Sequence, residues 1–292
     1  VDSVLSAEAT PADLSATLFG VDFSSSPTTK KPIVVARGVR RGAVVQLLDL
    51  QRLPSLDAFT QWLNPTTTPG PWLGVFDLPF GLPQELVEAL GWPMTWPELM
   101  RHYAGLTRAE IRDAFSAFCA ARPPGGKFAH RACDIPAGSS PSMKWVNPPV
   151  AFMLHAGVPR LMDAGVDMPG LMRGDAARVA LEGYPGVLAR ELIGRRSYKA
   201  DDKARQTPDR LIARKDLIEA LEQGRTRLGL RLKLTHAQRD ALVAEGAADG
   251  LDAVLCLAQA AWAHSQGEQV GMGWGLPVKF SRLEGWIVTT SE

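Results

Sequence analysis

The sequence predicts an α/β fold, a mixed sheet with flanking helices and a helical insertion, and three observations predict it. β-Branched and apolar runs crowd the first eighty or so residues, helix-patterned stretches fill residues 84–178, and short strand-like and helix-like runs alternate to the end. Apolar strands interleaved with amphipathic helices are the pattern of helices packed on the faces of a sheet.

The elements follow in order. Residues 1–16 are polar and interrupted by Pro11, and are expected to form a disordered lead-in. Residues 17–23 read as a strand. Residues 33–39 and 43–50 are β-branched runs separated by Arg40, Arg41 and Gly42, a hairpin-type junction. Ser55 is placed as the N-cap of a helix through Leu63, in which Leu56, Phe59, Trp62 and Leu63 recur at helical spacing. After Pro-rich punctuation at 65–71, Trp72–Asp77 is short and nearly all apolar, as in a buried parallel strand. The opening is therefore β-β-β-α-β. Residues 84–90, 96–103, 108–122 and 149–164 favour helix between Gly/Pro loops. A strand-like run at 180–184 precedes helices at 187–192, 209–223, 236–248 and 249–264, and residues 286–290 suit an edge strand or a packing tail. One domain over residues 17–292 is expected, with the helical insertion at about 84–178.

Composition excludes several classes. The 292 residues are 46% apolar and 22% charged, which is wrong for a disordered chain. A chain of this length buries roughly 75% of its unfolded surface. The 27 Gly and 22 Pro follow no period, which excludes collagen-like and solenoid architectures. Three Cys, at 119, 133 and 256, form no CxxC pair, so neither a disulfide framework nor a zinc finger is written here. They suit small core residues in a reducing compartment, the cytoplasm. No uncharged apolar run reaches the ~18 residues of a membrane span. The first nineteen residues carry Asp2, Glu8 and Asp13 and no basic residue, unlike a secretory signal.

The net charge of +1 conceals an uneven distribution. Residues 190–240 hold fourteen Lys/Arg against eight Asp/Glu, and residues 101–145 hold seven against three, so the rest of the chain carries −9. Basic stretches are the electrostatic footprint of a phosphate-bearing partner. They are also what solvated helix faces with i,i+4 pairs look like, as in Asp209, Arg210, Arg214 and Lys215.

The chemistry-bearing residues are acids at element ends. Asp22 lies at the end of the first strand in G-V-D-F-S, and Asp77 closes a later strand in V-F-D-L-P-F. An acid in an apolar strand is costly to bury without a cation or donors. Asp249 and Asp252 share one face at the start of a helix that is apolar almost all round, where the helix dipole also favours them. Hard divalent cations take oxygen ligands, and two such ions activate water and stabilise the leaving oxygen of a phosphodiester. Competing signatures are missing: G-x-S-x-G, Walker A, H-E-x-x-H and a strand-linked G-x-G-x-x-G. Gly271, Gly273 and Gly275 mark a turn, and the five His show no zinc spacing.

These residues carry a resemblance. D-G-L-D-A-V-L-C-L-A resembles the final helix of RuvC-type Holliday-junction resolvases, and G-V-D-F-S the first strand of the RNase H-like superfamily. The chain is similar to the family called domain of unknown function 429, regarded as nucleases of RNase H fold. The matching pieces are residues 20–24, 76–83, 130–134, 181–185, 249–256 and 284–287, and they span nearly the whole chain. The resemblance implies a catalytic Asp on the first strand, here Asp22, an acid ending the fourth strand, here Asp77, and acids on the last helix, here Asp249 and Asp252. In resolvases the fourth-strand acid is usually Glu; Asp77 is one methylene shorter and is followed by Pro79.

The expectation is a metal-dependent hydrolase, a nuclease using Mg²⁺ or Mn²⁺, with Asp22 bridging two ions, Asp77 and Asp252 completing the ligand set and Asp249 assisting. Glu182, at a strand end before Tyr184 and Pro185, is a further ligand or general base, or else a polar residue before a turn. Arg131 suits phosphate binding and His130 a proton shuttle, unless with Asp134 they form a salt-bridged loop. Lys199, beside Tyr198, suits either phosphate or solvent. Trp92, Trp96 and Trp145, with Arg101 and Lys144, suit base stacking or core packing. Nucleic acid, held through its backbone, is the expected partner. Two other readings remain open: an ATPase or phosphotransferase of the actin and sugar-kinase type, which needs two such halves, and a non-catalytic nucleic-acid- or protein-binding scaffold.

Overall fold

The computed structural model describes residues 16–269 and 273–291, so the expected lead-in lies outside the described residues except for Ala16. Three strands open the chain: β1 (Thr17–Asp22), β2 (Ile33–Arg41) and β3 (Val44–Leu53), an antiparallel meander turning at Gly42. Ser55 caps α1 (Leu56–Leu63) as expected, its hydroxyl accepting from the Ala58 amide at 3.0 Å. β4 (Trp72–Asp77) then returns parallel to β1. Beyond it lie β5 (Val166–Asp167), β6 (Asp175–Glu182) and β7 (Arg231–Lys233), giving one mixed seven-stranded sheet in the order β5-β6-β4-β1-β2-β3-β7. The described residues thus form a single sheet.

Residue parity along the strands assigns the two faces. Phe19 and Val21 of β1, Ile33 and Val35 of β2, Phe76 of β4 and Ala180 of β6 point to one core. There they meet α1 and the helices α2 (Gln84–Ala89), α3 (Trp96–Gly105), α4 (Arg108–Ala120) and α6 (Val150–Asp163), with the short α5 (Asp134–Ala137) beside them. Leu18, Val34, Ala36, Leu73, Val75, Val179 and Leu181 point to the other face. It is covered by α7 (Pro185–Ile193), α8 (Pro208–Glu222), α9 (His236–Ala244) and α10 (Asp249–Gln269).

The near-uniform apolarity of α10 now has its reason. Leu251, Val254, Leu255 and Leu257 are all fully buried between the sheet and the outer helices, each contributing about 1.5–3 kcal/mol. Gly20 sets how closely α10 lies on β1. A Cβ there would stand 2.1 Å from both the Ala253 carbonyl oxygen and the Leu257 amide nitrogen, so only glycine admits the helix backbone.

The structure decides between several alternatives and shifts two boundaries. Residues 286–290 are a packing tail: Ile287 makes one isolated bridge to Glu182, and Val288 is buried against the α10 face. The strand expected at 180–184 begins five residues earlier, and the helix expected over 236–248 stops at Ala244. Trp96 is buried with its indole donating to the Phe80 carbonyl at 2.6 Å; Trp92 packs on Tyr103 and Phe115, and Trp145 on Phe128. Trp96 is core, and Trp92 and Trp145 are half-buried against it. Gly273 and Gly275 bracket a turn, while Gly271 lies outside the described residues. Among the described residues no helix is long and apolar enough to cross a membrane.

Candidate active site

Asp22 and Asp77 are the last residues of β1 and β4, and the parallel register pairs them directly. Neighbouring strands lie about 4.8 Å apart, so the two side chains leave the same sheet edge on the same face. That face is the one covered by α10. Because Gly20 lets α10 rest on β1, the first turn of the helix, with Asp252, comes down beside them. Asp252 is 1% exposed.

The electrostatics record this convergence. Asp22 and Asp77 keep a partial opening to solvent, but packing on their other sides strips water from both carboxyls. Burial raises Asp22 well above the usual aspartate range, and Asp252 and Asp77 raise it further against the opposing Lys199 ammonium. Asp77 is pushed up to about 7, again chiefly by burial, with Lys199 opposing and Asp252 and Glu182 adding. Lys199 is the compensating charge. Burial works against its ammonium, but Asp252, Tyr198 and Asp22 outweigh that and hold it above the ordinary lysine range. Its Nζ is ion-paired with Asp252 Oδ2, and Tyr198 Oη donates to Asp252 Oδ1 at 2.5 Å.

Asp249, three residues earlier in the same turn, is also buried. It is raised first by burial and then by Glu245, while Lys31 opposes and Asp252 adds, and it raises Asp22 in turn. The Glu245 carboxylate itself caps the helix start, accepting from the Gly250 amide at 2.7 Å.

Glu182 belongs to a different arrangement. Its register partner is Phe76, not Asp77, so the two-residue period sends its side chain to the opposite face of the sheet. There its Oε1 accepts from Arg131 Nη2 at 2.6 Å, and its Oε2 from Arg131 Nη1 at 2.8 Å and the Phe80 amide at 2.9 Å. Arg131, 2% exposed, also donates from Nε and Nη2 to Asp134 Oδ1 and from Nη1 to the Glu284 carbonyl. All five guanidinium donors are used inside the protein, which leaves none for phosphate. The Glu284 carboxylate closes the group by accepting from the Gln84 and Ala132 amides, at 2.9 and 2.8 Å. This buried knot ties the helical insertion to β6 and the C-terminal tail. Arg131 is therefore a structural ion pair, not a substrate contact, and Glu182 is committed to it; His130 lies exposed in the adjoining loop.

Part of the basic segment 190–240 is engaged within the chain. At least eight of its fourteen cations bind within the chain, among them Arg196 with Asp216, Arg227 with Glu191, Arg239 with Glu222, and Arg214 with the Tyr198 and Val243 carbonyls. Several of these contacts are to carbonyl oxygens, so the segment keeps its net charge of +6.

Sequence reasoning did not find three contributors. Tyr198 reads, with Lys199, as a phosphate contact or solvated surface, and Gly20 and Glu284 stand in the matching pieces 20–24 and 284–287 without a role of their own. A glycine inside an otherwise apolar strand was the available signal for Gly20, since it marks close backbone approach.

The donor chemistry of Asp22, Asp77 and Asp252, carboxylate oxygen only, suits a hard divalent cation. Among the described residues no group of three or more His, Cys, Asp or Glu is disposed to hold an ion. Compared with protein-family models, curated proteins and solved structures, the chain matches none.

Proposed function

We propose that this chain hydrolyses phosphodiester bonds of nucleic acid with Mg²⁺ or Mn²⁺, in the manner of an RNase H-like nuclease. The observation that carries the reading is the in-register pair Asp22 and Asp77 with Asp252 brought down on it by α10. The β-β-β-α-β opening and the resemblance to domain of unknown function 429 support it. Asp22, Asp77 and Asp252 would hold the cation, which lowers the pKa of bound water and neutralises developing negative charge on oxygen.

The chain's own residues have separable tasks. Asp22 and Asp77 are fixed by the sheet; burial chiefly raises their proton affinities, neighbouring acids add to it, and a bound divalent cation would favour their ionised forms. Tyr198 orients Asp252 through its hydroxyl. Asp249, in the same first turn of α10, would add a ligand or hold one. The buried, unpaired thiols of Cys119, Cys133 and Cys256 support a cytoplasmic location.

The test is Mg²⁺-dependent cleavage of single-stranded, duplex, hybrid and branched nucleic acids. Cleavage abolished by Asp22→Asn together with Asp252→Asn is the expected result; activity that survives the double substitution sinks the assignment.

A further inference from the structure

Both oxygens of Asp252 are engaged from within the chain, by two consecutive residues. Tyr198 Oη holds Oδ1 and Lys199 Nζ holds Oδ2. The segment that presents them, residues 194–207, is anchored around the pair. Arg214 Nη1 donates to the Tyr198 carbonyl at 2.8 Å, the Ala200 amide to the Gly246 carbonyl at 3.0 Å, and Lys31 Nζ pairs with Asp201 at 2.6 Å.

The two side chains differ in freedom. Tyr198 is 8% exposed and packs in the core on the α10 face, so it is fixed. Lys199 keeps 48% of its side chain open to solvent. An ammonium on a flexible four-carbon stem is a point charge that moves without disturbing the backbone that carries it. Its single positive charge also faces Asp22 and Asp77, and one charge does not balance three carboxylates. The ammonium therefore sits beside the three acids without matching their number.

We propose that Lys199 is a displaceable internal counter-ion: it holds Asp252 while no divalent cation is bound, and must leave Oδ2 before one enters. Lys199 then sets the cation affinity of the site, and Tyr198 keeps Asp252 aimed at it throughout. The inference rests on the reading that Asp22, Asp77 and Asp252 hold the cation. A neutral side chain at position 199 removes the competitor and exposes the full carboxylate charge to the ion, whereas arginine keeps the competition.

The experiment is calorimetric titration of the full, EDTA-stripped chain with Mn²⁺ at low salt, for the wild type, Lys199→Met, Lys199→Gln and Lys199→Arg. Lys199→Gln retains a donor toward Oδ2 and serves if the methionine variant does not fold. The expected result is affinity about tenfold or more tighter in the neutral variants and no gain in Lys199→Arg. Wild-type binding that the neutral variants leave unchanged or weaken overturns the inference while the cation reading stands. Binding in the neutral variants but not in the wild type supports the counter-ion and overturns the wild-type cation reading. No binding in any form overturns both.

Discussion

Asp22 and Asp77 face each other as the terminal residues of adjacent parallel strands, on the side of the sheet covered by α10. Two carboxylates fixed at strand spacing repel each other, and the third, Asp252, arrives on a helix whose position is set by a glycine. The consequences can be measured separately.

Replacing Gly20 by alanine puts a methyl group into the backbone of α10, 2.1 Å from two of its atoms. The expected cost is about 3 kcal/mol or more, read by urea unfolding, because backbone cannot yield as a side-chain tip would. Gly105→Ala, where a Cβ meets nothing within 4 Å, is the control and should change stability by less than about 1 kcal/mol. Equal effects at both positions would contradict the close-approach account.

Arg131→Met should destabilise the fold by about 3–5 kcal/mol, because Glu182 and Asp134 are left buried without their cation. Adding Glu182→Gln should recover part of that loss, since one uncompensated charge disappears. A fully stable Arg131→Met protein with impaired nucleic-acid binding would return Arg131 to the surface role that its burial argues against.

The Asp77 carboxyl has a folded pKa of about 7, against about 3.9 in an unfolded chain. Between those values the folded protein binds the proton more tightly. Its contribution to stability is therefore fully present below about pH 4 and is lost as pH rises through about 7. In EDTA, Asp77→Asn should be more stable than the wild type by about 1–2 kcal/mol near pH 8, with the advantage shrinking toward about pH 5. Urea unfolding of both proteins at the two pH values checks this; a difference independent of pH would place Asp77 outside any crowded carboxylate group.

Tyr198→Phe removes the hydroxyl that holds Asp252 Oδ1 without removing its ring from the core. A modest loss of about 1 kcal/mol in unfolding free energy is expected, with the fold intact by circular dichroism. A change of several kcal/mol would mean that the hydroxyl serves the core rather than the site.

Much of this arrangement is legible in the sequence because it is local. Strand-end acids in apolar runs single out Asp22 and Asp77, and two acids ahead of an apolar helix single out Asp249 and Asp252. Relationships between strands are not local. Whether Glu182 shares a face with Asp77 depends on a register that places it one residue away, opposite Phe76, and a shift of one reverses the face. Arg131 meets Glu182 across 51 positions and the Glu284 carbonyl across 153, separations that no spacing rule reaches. β5 and β7, with two and three residues, are too short to show a period, and residues 286–290 have strand-like composition without a ladder partner beyond one bridge. From sequence Lys199 suits a phosphate contact or a solvated group, because its partner is supplied by a helix that begins fifty residues later.

The most direct measurement is the anomalous difference map of a crystal of the full chain grown with Mn²⁺. The account predicts a peak bounded by Asp22, Asp77 and Asp252 oxygens at roughly Mg²⁺-like distances of about 2.1 Å, with Lys199 withdrawn from Asp252. A map without density there, and with Lys199 still paired to Asp252, would contradict it.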